Sequence, residues 1–423
     1  MRKKYNHKIA IIGLGYVGLP LAVEFCKFFD LVGFDLKLKR IKDLKKNLDE
    51  TKEISNRKLA VIKNKIIFTN NVDDIKYCNI FIITVPTPIN LIKKPDLSAL
   101  KIATKLVSKV LKKDDLVIYE STVFPGCTEE ICIPILERFS KLKLNKDFLC
   151  GYSPERINPG DKSKNIKKIN KLVSGSNDKA LNKIYYLYKK IIQAEVIKVR
   201  NIKIAEGAKI IENTQRDLNI ALINEFLQIF QKLNINFSEV LKAANTKWNF
   251  LNFEPGLVGG HCIGVDPYYL AEKSRQIGYN PKLILAGRKI NDGMSKFYFN
   301  IFIKEFKKRF EIIKNKNILV MGLSFKENVP DIRNSKSFDI IRCLKKTKVN
   351  VFCYDDNIEK NSLEKAHKIK TIDKIKKNYY HGIIILVKHS SFDFIKKKIM
   401  TFLKKGGVIL DIKNFLGKEK III

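Results

Sequence analysis

A glycine-dense segment at residues 256–267, GLVGGHCIGVDP, contains the side chains best suited to covalent chemistry. It leads to Cys262, and Asp266 follows four residues later. Glycines leave the backbone beside a thiol open to a substrate, and a thiolate in such a loop can attack an aldehyde. The alternative is a buried, inert cysteine, which is the usual environment of this residue type.

A second candidate pair, Lys209 and Asn213, lies in a segment whose apolar residues recur at helical spacing. Residues four apart share one face of a helix. An ammonium and an amide N–H both donate hydrogen bonds to developing negative charge, so the pair can bind an alkoxide or a carbonyl oxygen. The alternative is a solvated lysine on an amphipathic helix.

The motif GLGYVG, residues 13–18, follows a β-branched run and has the GxGxxG spacing of a dinucleotide-binding turn. Gly13 permits a tight turn, Gly15 lets a pyrophosphate approach the backbone, and Gly18 allows close helix packing. Asp35 ends the next predicted strand, where an acid accepts the ribose hydroxyls. Because this carboxylate would repel a 2′-phosphate, the predicted cofactor is NAD. The alternative is a glycine-rich turn without a ligand.

Two further turns follow predicted strands: VPTP at residues 85–88 and ESTVFPG at 120–126. In a doubly wound sheet, ligands bind beyond the carboxyl ends of the strands, so both turns are candidate binding loops. Since proline and glycine punctuate loops in general, simple turn chemistry is the alternative.

The elements that must position these residues follow an alternating pattern. Short β-branched runs alternate with amphipathic stretches in the first 200 residues, which is typical of βαβ units. One long helix is predicted over 203–233, and helical signals continue to about 310. The predicted strands are Lys8–Ile12, Leu31–Asp35, Asn79–Val85, Leu116–Tyr119, Phe148–Tyr152, Asn317–Leu323, Asn350–Tyr354, Gly382–Val387 and Val408–Ile412.

These elements predict an α/β fold class: two Rossmann-like, doubly wound parallel-sheet domains joined by a helical middle with one long central helix. The 423 residues allow two to four domains. We expect three domains, at residues 1–198, 199–308 and 309–423. Gly207 lies inside the predicted long helix, where glycine costs about 1 kcal/mol relative to alanine.

The net charge of +38, from 81 Lys and Arg against 43 Asp and Glu, raises the hypothesis of a basic protein that binds nucleic acid or other anions. The lysines, however, are scattered through the chain, and aromatic and basic residues are not interleaved on a strand as in RNA-recognition motifs. A solvated lysine-rich surface is therefore favoured, without a specific nucleic-acid partner.

The eight cysteines have irregular spacing, with no CxxC and no histidines at zinc-ligand spacing. No metal site is expected, and reduced thiols indicate a cytoplasmic protein. The apolar start of the chain contains three glycines and a proline and then Glu24, which argues against a signal peptide. No apolar run reaches the roughly 18 residues of a membrane span.

Taken together, these motifs resemble the nucleotide-sugar dehydrogenases of the UDP-glucose and GDP-mannose dehydrogenase family. The resemblance covers essentially the whole chain. It rests on the segments KIAIIGLGYVGLPLAVEF, VPTP, ESTVFPG, YSPERINPGD, IENTQRDLNIALINE, KWNFLNFEPGLVGGHCIGVDPYYL and GLSFKENVPDIRNS. The fifth and sixth of these are most similar to the members that act on UDP-N-acetylhexosamines.

The resemblance implies where the cofactor binds. NAD contacts are expected at Gly13, Leu14, Gly15, Tyr16, Val17, Gly18, Asp35, Arg40, Thr87, Thr122 and Arg333. The three segments are then expected to be an NAD-binding domain, a helical domain with the catalytic lysine and cysteine loop, and a UDP-sugar-binding domain.

The resemblance also implies the catalytic and substrate-binding residues. Cys262 would form a thiohemiacetal and then a thioester, with Lys209 and Asn213 as oxyanion donors. Asp266 and Thr122 would hold a water that helps to deprotonate the alcohol, and Glu155 would activate the water that hydrolyses the thioester. Substrate contacts are expected at Glu155, Arg156, Lys209, Asn213, Phe253, Gly256, Gly259, Phe325 and Lys326.

The implied reaction is a four-electron oxidation of a sugar C6 alcohol to a carboxylate with two NAD, for surface polysaccharide synthesis. UDP-GlcNAc and UDP-GalNAc are the expected substrates. UDP-glucose 6-dehydrogenase and a single-step dehydrogenase remain alternatives. A homodimer or larger homo-oligomer is expected, without membrane association.

Overall fold

The computed structural model describes residues 7–157, 165–358, 363–364, 368–417 and 421–422. The end of the YSPERINPGD segment lies outside these residues. The chain forms two compact units. The first consists of residues 1–213 and 268–280, and the second of 214–267 and 281–423. The chain therefore passes from one unit to the other three times.

A single sheet forms the centre of the first unit. Its described strands are β1 Lys8–Ile12, β2 Asp30–Phe34, β3 Ile66–Thr69, β4 Ile80–Ile83, β5 Leu116–Tyr119, β6 Leu149–Tyr152, β7 Lys171–Gly175 and β8 Val196–Lys198. Their order is β3-β2-β1-β4-β5-β6-β7-β8, and only the β6–β7 pair is antiparallel. The order reverses between β1 and β4, which is where doubly wound sheets open a ligand crevice.

Both faces of this sheet are buried, as the β-branched composition of its strands requires. Successive side chains of a strand point to opposite faces. Ile9 and Ile11 of β1 belong to the same hydrophobic cluster, while Ala10 and Ile12 are buried on the opposite side. The first unit therefore has the covered parallel sheet of a Rossmann-type fold.

The helices that cover this sheet are α1 Gly18–Phe25, α2 Leu38–Lys45, α3 Asn56–Ile62, α4 Ser98–Ser108, α5 Ile133–Ser140 and α6 Asp178–Ile191. The long helix α7, Ile202–Lys232, begins in the first unit and continues into the second. It is unbroken at Gly207.

The second unit has its own sheet. Its strands are β9 Asn317–Met321, β10 Asn350–Tyr354, β11 Tyr380–Ile385, β12 Leu403–Asp411 and β13 Ile421–Ile422, in the order β10-β9-β11-β12-β13. Ile318 and Val320 pack into one hydrophobic cluster, and Leu319 and Met321 into another. Two separate cores, one on each face, again indicate a doubly wound sheet.

The larger helices that begin after α7 are α8 Phe237–Ala244, α9 Asp266–Gln276, α10 Lys282–Arg309 and α11 Ser337–Lys346. The segment from α7 to α10 contains no strand among the residues that the structure describes. Helix α9 lies mostly in the first unit, since Tyr268–Asn280 belongs to it.

The predicted fold class is confirmed: two parallel Rossmann-like sheets are separated in the chain by a helical region that contains one long helix. The long helix lies within one residue of its predicted ends. Strands β3, β7 and β8 were not predicted, because they are short and lie beside or include lysines that interrupt the apolar pattern. No helix within the described ranges is long and apolar enough to cross a membrane.

Candidate functional site

The glycine turn after β1 is tight at two positions and open at a third. Gly13 has a φ of 95°, in the left-handed region that favours glycine. A Cβ at Gly18 would lie 1.9 Å from the carbonyl oxygen of Gly13. In contrast, no described atom lies within 4 Å of a Cβ built at Gly15. The turn therefore leaves the backbone at Gly15 accessible to a ligand.

Asp35, directly after β2, fixes this turn through its carboxylate. Its Oδ2 accepts a hydrogen bond from the backbone N–H of Leu14 at 2.9 Å, and Oδ1 accepts one from Lys37 at 2.9 Å. Each carboxylate oxygen has a further lone pair for a ribose hydroxyl. The predicted acid is therefore in place at the end of the second strand.

Arg40, a predicted cofactor contact, lies beneath the turn and is 2% exposed. Its Nε donates to the carbonyl oxygen of Leu14 at 2.8 Å, and its Nη1 pairs with Asp49 at 2.8 Å. Within the described part of the chain, the buried Nη2 has no hydrogen-bond partner. A free buried donor and an open glycine beside Asp35 fit a dinucleotide at this turn.

The turns after β4 and β5 are joined by side chains. Thr87 Oγ1 donates to the carbonyl oxygen of Thr122 at 2.7 Å, and Ser121 Oγ donates to that of Val85 at 2.6 Å. Both predicted threonines therefore lie together at the carboxyl edge of the sheet, as the order of the strands requires.

Glu155 follows β6 and is held by three donors. Its Oε1 accepts from the backbone N–H groups of Arg156 at 2.6 Å and Ile157 at 2.8 Å. Its Oε2 accepts from Lys171 Nζ at 2.9 Å. The carboxylate is 7% exposed, so its orientation is fixed before any substrate binds.

Helix α7 carries Lys209 and Asn213 one turn apart, with Lys209 8% exposed and Asn213 half-buried. Between them, Glu212 forms an ion pair with Arg156, whose Nη1 also donates to the carbonyl oxygen of Asn170 at 3.3 Å. The loop that holds Glu155 is therefore connected to the helix that presents the predicted oxyanion donors.

One turn before Lys209, Glu206 attaches α7 to the loop that follows Thr122. Its carboxylate accepts the backbone N–H groups of Gly126 at 2.6 Å and Thr128 at 2.9 Å. Burial raises the pKa of Glu206 to about 7. This buried acid was not predicted from the sequence, although it lies only three residues from Lys209.

In the second unit, Cys262 is half-buried at the end of its glycine loop, and α9 begins at Asp266. The carbonyl oxygen of Cys262 accepts the N–H groups of Val265 and Asp266, both at 2.9 Å. None of the eight cysteines, all of which lie in the described ranges, forms a disulfide, and only Cys262 and Cys343 are not fully buried. An accessible thiol in a defined turn is consistent with a nucleophile and differs from the inert alternative.

The start of the cysteine loop is fixed by a buried amide. Asn224 Nδ2 donates to the carbonyl oxygen of Gly256 at 3.0 Å, and the N–H of Gly256 donates to Asn224 Oδ1 at 2.8 Å. Asn224 Nδ2 also donates to Asn291 Oδ1 at 2.8 Å. Asn224, a residue of α7 that was not predicted to contribute, thus determines where the loop begins.

The middle of the cysteine loop packs against the loop that follows β9. A Cβ at Gly259 would lie 2.9 Å from the carbonyl oxygen of Asn334, and one at Gly260 would lie 2.6 Å from Phe325. Asn334 Nδ2 donates to the carbonyl oxygen of Gly260 at 3.2 Å. The glycines are therefore required for packing within this unit as well as for access to the thiol.

An ionic cluster lies beside the cysteine. His261 Nδ1 lies 3.4 Å from Asp331 Oδ2, which also accepts Arg333 Nη2 at 2.6 Å. Although burial opposes it, the hydrogen bond from Arg333 holds the pKa of Asp331 below its usual value. The predicted cofactor contact Arg333 is thus linked to the residue that precedes Cys262.

The turn after β9 repeats the construction of the turn after β1. Gly322 has a φ of 79°, and Asp355 Oδ2 accepts the N–H of Leu323 at 2.7 Å. His389 is fully buried, with Nε2 3.2 Å from Asp355 Oδ2. Because His389 Nδ1 accepts the N–H of Asn328 at 3.0 Å, the proton of the neutral ring lies on Nε2.

The predicted site residues thus fall into two groups. The first unit contains Gly13, Leu14, Gly15, Tyr16, Val17, Gly18, Asp35, Arg40, Thr87, Thr122, Glu155, Arg156, Lys209 and Asn213. The second contains Phe253, Gly256, Gly259, Cys262, Asp266, Phe325, Lys326 and Arg333. Within the described residues, no group of His, Cys, Asp and Glu could hold a metal ion.

Two Rossmann-like sheets, the first with the glycine turn and acid of a dinucleotide site, are typical of proteins that bind nucleotides. Three domain profiles of one family match the chain: the NAD binding domain at residues 7–192, the central domain at 203–293 and the UDP binding domain at 319–418. The chain belongs to the UDP-glucose/GDP-mannose dehydrogenase family. It is therefore an enzyme, and the hypothesis that it only binds anions is wrong.

The chain is similar to named members of this family over nearly its whole length. It is 49% identical to the UDP-N-acetyl-D-glucosamine 6-dehydrogenase of Pseudomonas aeruginosa, covering 98% of each chain. It is also 49% identical to the Salmonella typhi enzyme of that name, covering 98% of this chain and 97% of that protein. The solved UDP-D-ManNAc dehydrogenase of Pyrococcus horikoshii is 31% identical, with a TM-score of 0.83 and coverage of 94% and 93%.

Proposed function

We propose that this enzyme oxidises the C6 alcohol of a UDP-N-acetylhexosamine, UDP-GlcNAc or UDP-GalNAc, to the carboxylate. The observation that carries the proposal is 49% identity, over nearly full length, to two UDP-N-acetyl-D-glucosamine 6-dehydrogenases. The product would be a sugar-nucleotide uronic acid for surface polysaccharide synthesis.

The proposed chemistry needs a group that holds the intermediate aldehyde. Bound NAD would accept one hydride in each of two oxidations. Cys262 would add to the aldehyde to form a thiohemiacetal and, after the second oxidation, hold the acyl group as a thioester. Lys209 and Asn213 would donate hydrogen bonds to the negative oxygen that develops at each stage.

The remaining predicted residues would transfer protons or bind the substrate. Asp266 and Thr122 would hold a water that helps to deprotonate the alcohol, and Glu155 would activate the hydrolytic water. Arg156, Phe253, Gly256, Gly259, Phe325 and Lys326 would contact the sugar nucleotide. The fixed orientation of the Glu155 carboxylate supports its role, because a general base must be positioned before it can act.

The test is the yield of NADH at completion with limiting UDP-GlcNAc, UDP-GalNAc or UDP-glucose in separate reactions. Two NADH per preferred sugar are expected, and initial rates identify that sugar. A faster rate with UDP-glucose would support the UDP-glucose 6-dehydrogenase alternative. A yield of one NADH would contradict the four-electron mechanism.

The cysteine is tested with a matched pair of variants. Cys262→Ser should abolish full turnover, because a serine hydroxyl is a weaker nucleophile than a thiolate and its ester is hydrolysed more slowly than a thioester. Cys343→Ser, at the other incompletely buried cysteine, should keep the wild-type rate. An undiminished rate in Cys262→Ser would remove Cys262 from the mechanism.

We also propose a homodimer or larger homo-oligomer. Its support is a set of exposed apolar side chains along α7, namely Ile204, Ile211, Leu222 and Ile229. Apolar side chains repeated along one helix are typical of a surface that packs against another molecule. The mass measured by light scattering at micromolar concentration distinguishes this from a monomer.

A further inference from the structure

A buried ionic cluster lies behind Glu155 in the first unit. Glu120 directly follows β5, Lys171 opens β7, and Tyr188 belongs to α6. Each of these three side chains is at most 2% exposed. Glu120 begins the ESTVFPG turn that the sequence predicts as a candidate binding loop, but the sequence predicted no role for Glu120 itself, Lys171 or Tyr188.

The contacts form one continuous path. Lys171 Nζ donates to Glu155 Oε2 at 2.9 Å and to Glu120 Oε2 at 2.7 Å. Tyr188 OH donates to Glu120 Oε1. A single ammonium therefore bridges two carboxylates, and Glu120 is the more deeply buried of the two.

The charges of this cluster do not balance. Two ionised carboxylates and one ammonium would leave a net negative charge away from water, which is unfavourable. Burial, opposed by Lys171 and assisted by Glu155, raises the pKa of Glu120 to about 7. Lys171, Glu155 and Tyr188 are the titratable groups that face Glu120 from the neighbouring elements. The cluster is therefore suited to take up one proton near neutral pH.

We propose that Lys171 and Glu120 form a buried proton-exchange pair that takes the proton from Glu155 during hydrolysis of the acyl-enzyme. Both are positioning residues that act through Glu155. The inference rests on the proposed role of Glu155 and adds the destination of the proton.

Every bond that forms in this transfer is matched by one that breaks. Water attacks the thioester carbonyl: a C–O bond forms, one O–H bond of the water breaks, and Glu155 takes that proton. Lys171 gives one proton to Glu120 and accepts the proton from Glu155, so the ammonium charge is unchanged. The C–S bond then breaks and Cys262 leaves as a thiolate. The second proton of the water goes from the product acid to solvent.

Glu155 is ionised again at the end of this exchange, and Glu120 is neutral. After the product leaves, the same two transfers run in reverse. The proton then passes to solvent from Glu155, the more exposed carboxyl group. No other reactant is needed.

The decisive variant is Lys171→Arg. A guanidinium keeps the positive charge and the donors, but it does not give up its proton in proteins. We expect a burst of two NADH per active site, followed by a steady-state rate lowered about tenfold or more. Acid-quenched protein should carry the mass of the covalently held sugar nucleotide. A wild-type steady-state rate without this adduct would overturn the proposal and leave Lys171 with a structural role only.

Glu120→Gln tests the same step if the arginine does not fit the buried space. Glutamine keeps an acceptor for Lys171 and cannot take a proton. In the wild type, acyl-enzyme breakdown should slow as the pH falls through about 7, since Glu120 is then already protonated. In Glu120→Gln the breakdown should be slow and lack this pH dependence. An unchanged pH profile would contradict the exchange.

Asp115→Asn is the matched control. Asp115 lies at the opposite end of β5, is 2% exposed, and accepts the N–H of Lys112 at 2.7 Å. Burial raises its pKa to about 6, yet it is remote from Glu155 along the strand. This variant should keep the wild-type rate and pH profile. If the wild type yields two NADH per sugar while Lys171→Arg and Glu120→Gln keep the wild-type steady-state rate and pH profile, this inference alone fails and the proposed function stands.

Discussion

At the scale of single residues, two glycines of the first turn serve different purposes. Gly18 is needed by the protein itself, because a Cβ there would meet the Gly13 carbonyl at 1.9 Å and Thr84 Oγ1 at 2.5 Å. Gly15 is not required for packing, since no described atom lies within 4 Å of a Cβ built there. Substitution by alanine therefore separates stability from cofactor binding.

Gly15→Ala should melt at the wild-type temperature but bind NAD about tenfold or more weakly, because the methyl group occupies the path of the pyrophosphate. Gly18→Ala should lose about 1–3 kcal/mol or more of unfolding free energy, since backbone must move. Thermal unfolding and calorimetric titration with NAD measure both effects. Unchanged NAD affinity in Gly15→Ala would show that the cofactor does not approach this turn.

Residue types and spacing alone predict Cys262, Lys209, Asn213 and Asp35 as site residues, because each has a recognisable chemistry at a motif spacing. They did not identify Lys171, which meets Glu120 from 51 positions away in the chain. Such a pairing depends on the order of the strands, in which β7 follows β6 as an antiparallel neighbour. Structural polar residues of this kind become visible only when the topology is known.

At the scale of elements, α7 is continuous from Ile202 to Lys232 despite Gly207. A Cβ at Gly207 would lie 3.7 Å from Pro125 Cγ, an ordinary van der Waals distance. The glycine is therefore not required by packing. The cost of about 1 kcal/mol that the sequence predicts for a glycine here does not interrupt the helix.

Gly207→Ala should raise the unfolding free energy by about 0.5–1 kcal/mol, since alanine has the higher helix propensity and meets no clash. Denaturant unfolding at equilibrium measures the change. Gly293→Ala in α10, where no described atom lies within 4 Å of the added Cβ, should give a similar gain and serves as a reference. A loss of stability in Gly207→Ala alone would mean that Pro125 needs the space.

The elements were predictable where their pattern was long or uninterrupted, as for α7 and β9. Strand β7 begins with the buried Lys171, so its sequence, KLVSG, does not look like a core strand. Strand β8 has only three residues. In both cases tertiary contacts, and not local propensity, determine the strand.

At the scale of the whole molecule, each unit has a separate sheet and separate cores, so a ligand of one unit should stabilise that unit. UDP at about a hundred times its Kd should stabilise the second unit by about 2.7 kcal/mol. Hydrogen exchange followed by mass spectrometry should show slower exchange in β9 and in the turn at residues 322–326, with little change in β1.

Lys326→Ala provides the control for this prediction. If Lys326 contacts the diphosphate, the variant should lose most of the protection that UDP gives to the second unit. Equal protection of β1 and β9 by UDP would contradict an assignment of UDP binding to the second unit. The sequence predicted two nucleotide-type sheets because β-branched runs alternate with amphipathic stretches in both parts of the chain.

The threefold passage of the chain between the units has a consequence for how such enzymes can diversify. Residues 268–280 belong to the first unit but are encoded between two segments of the second. A single genetic crossover, wherever it falls after residue 213 and before residue 281, leaves at least one unit with parts from two parents. An exchange that leaves each unit with a single parent therefore needs three crossovers, one at each point where the chain passes between the units.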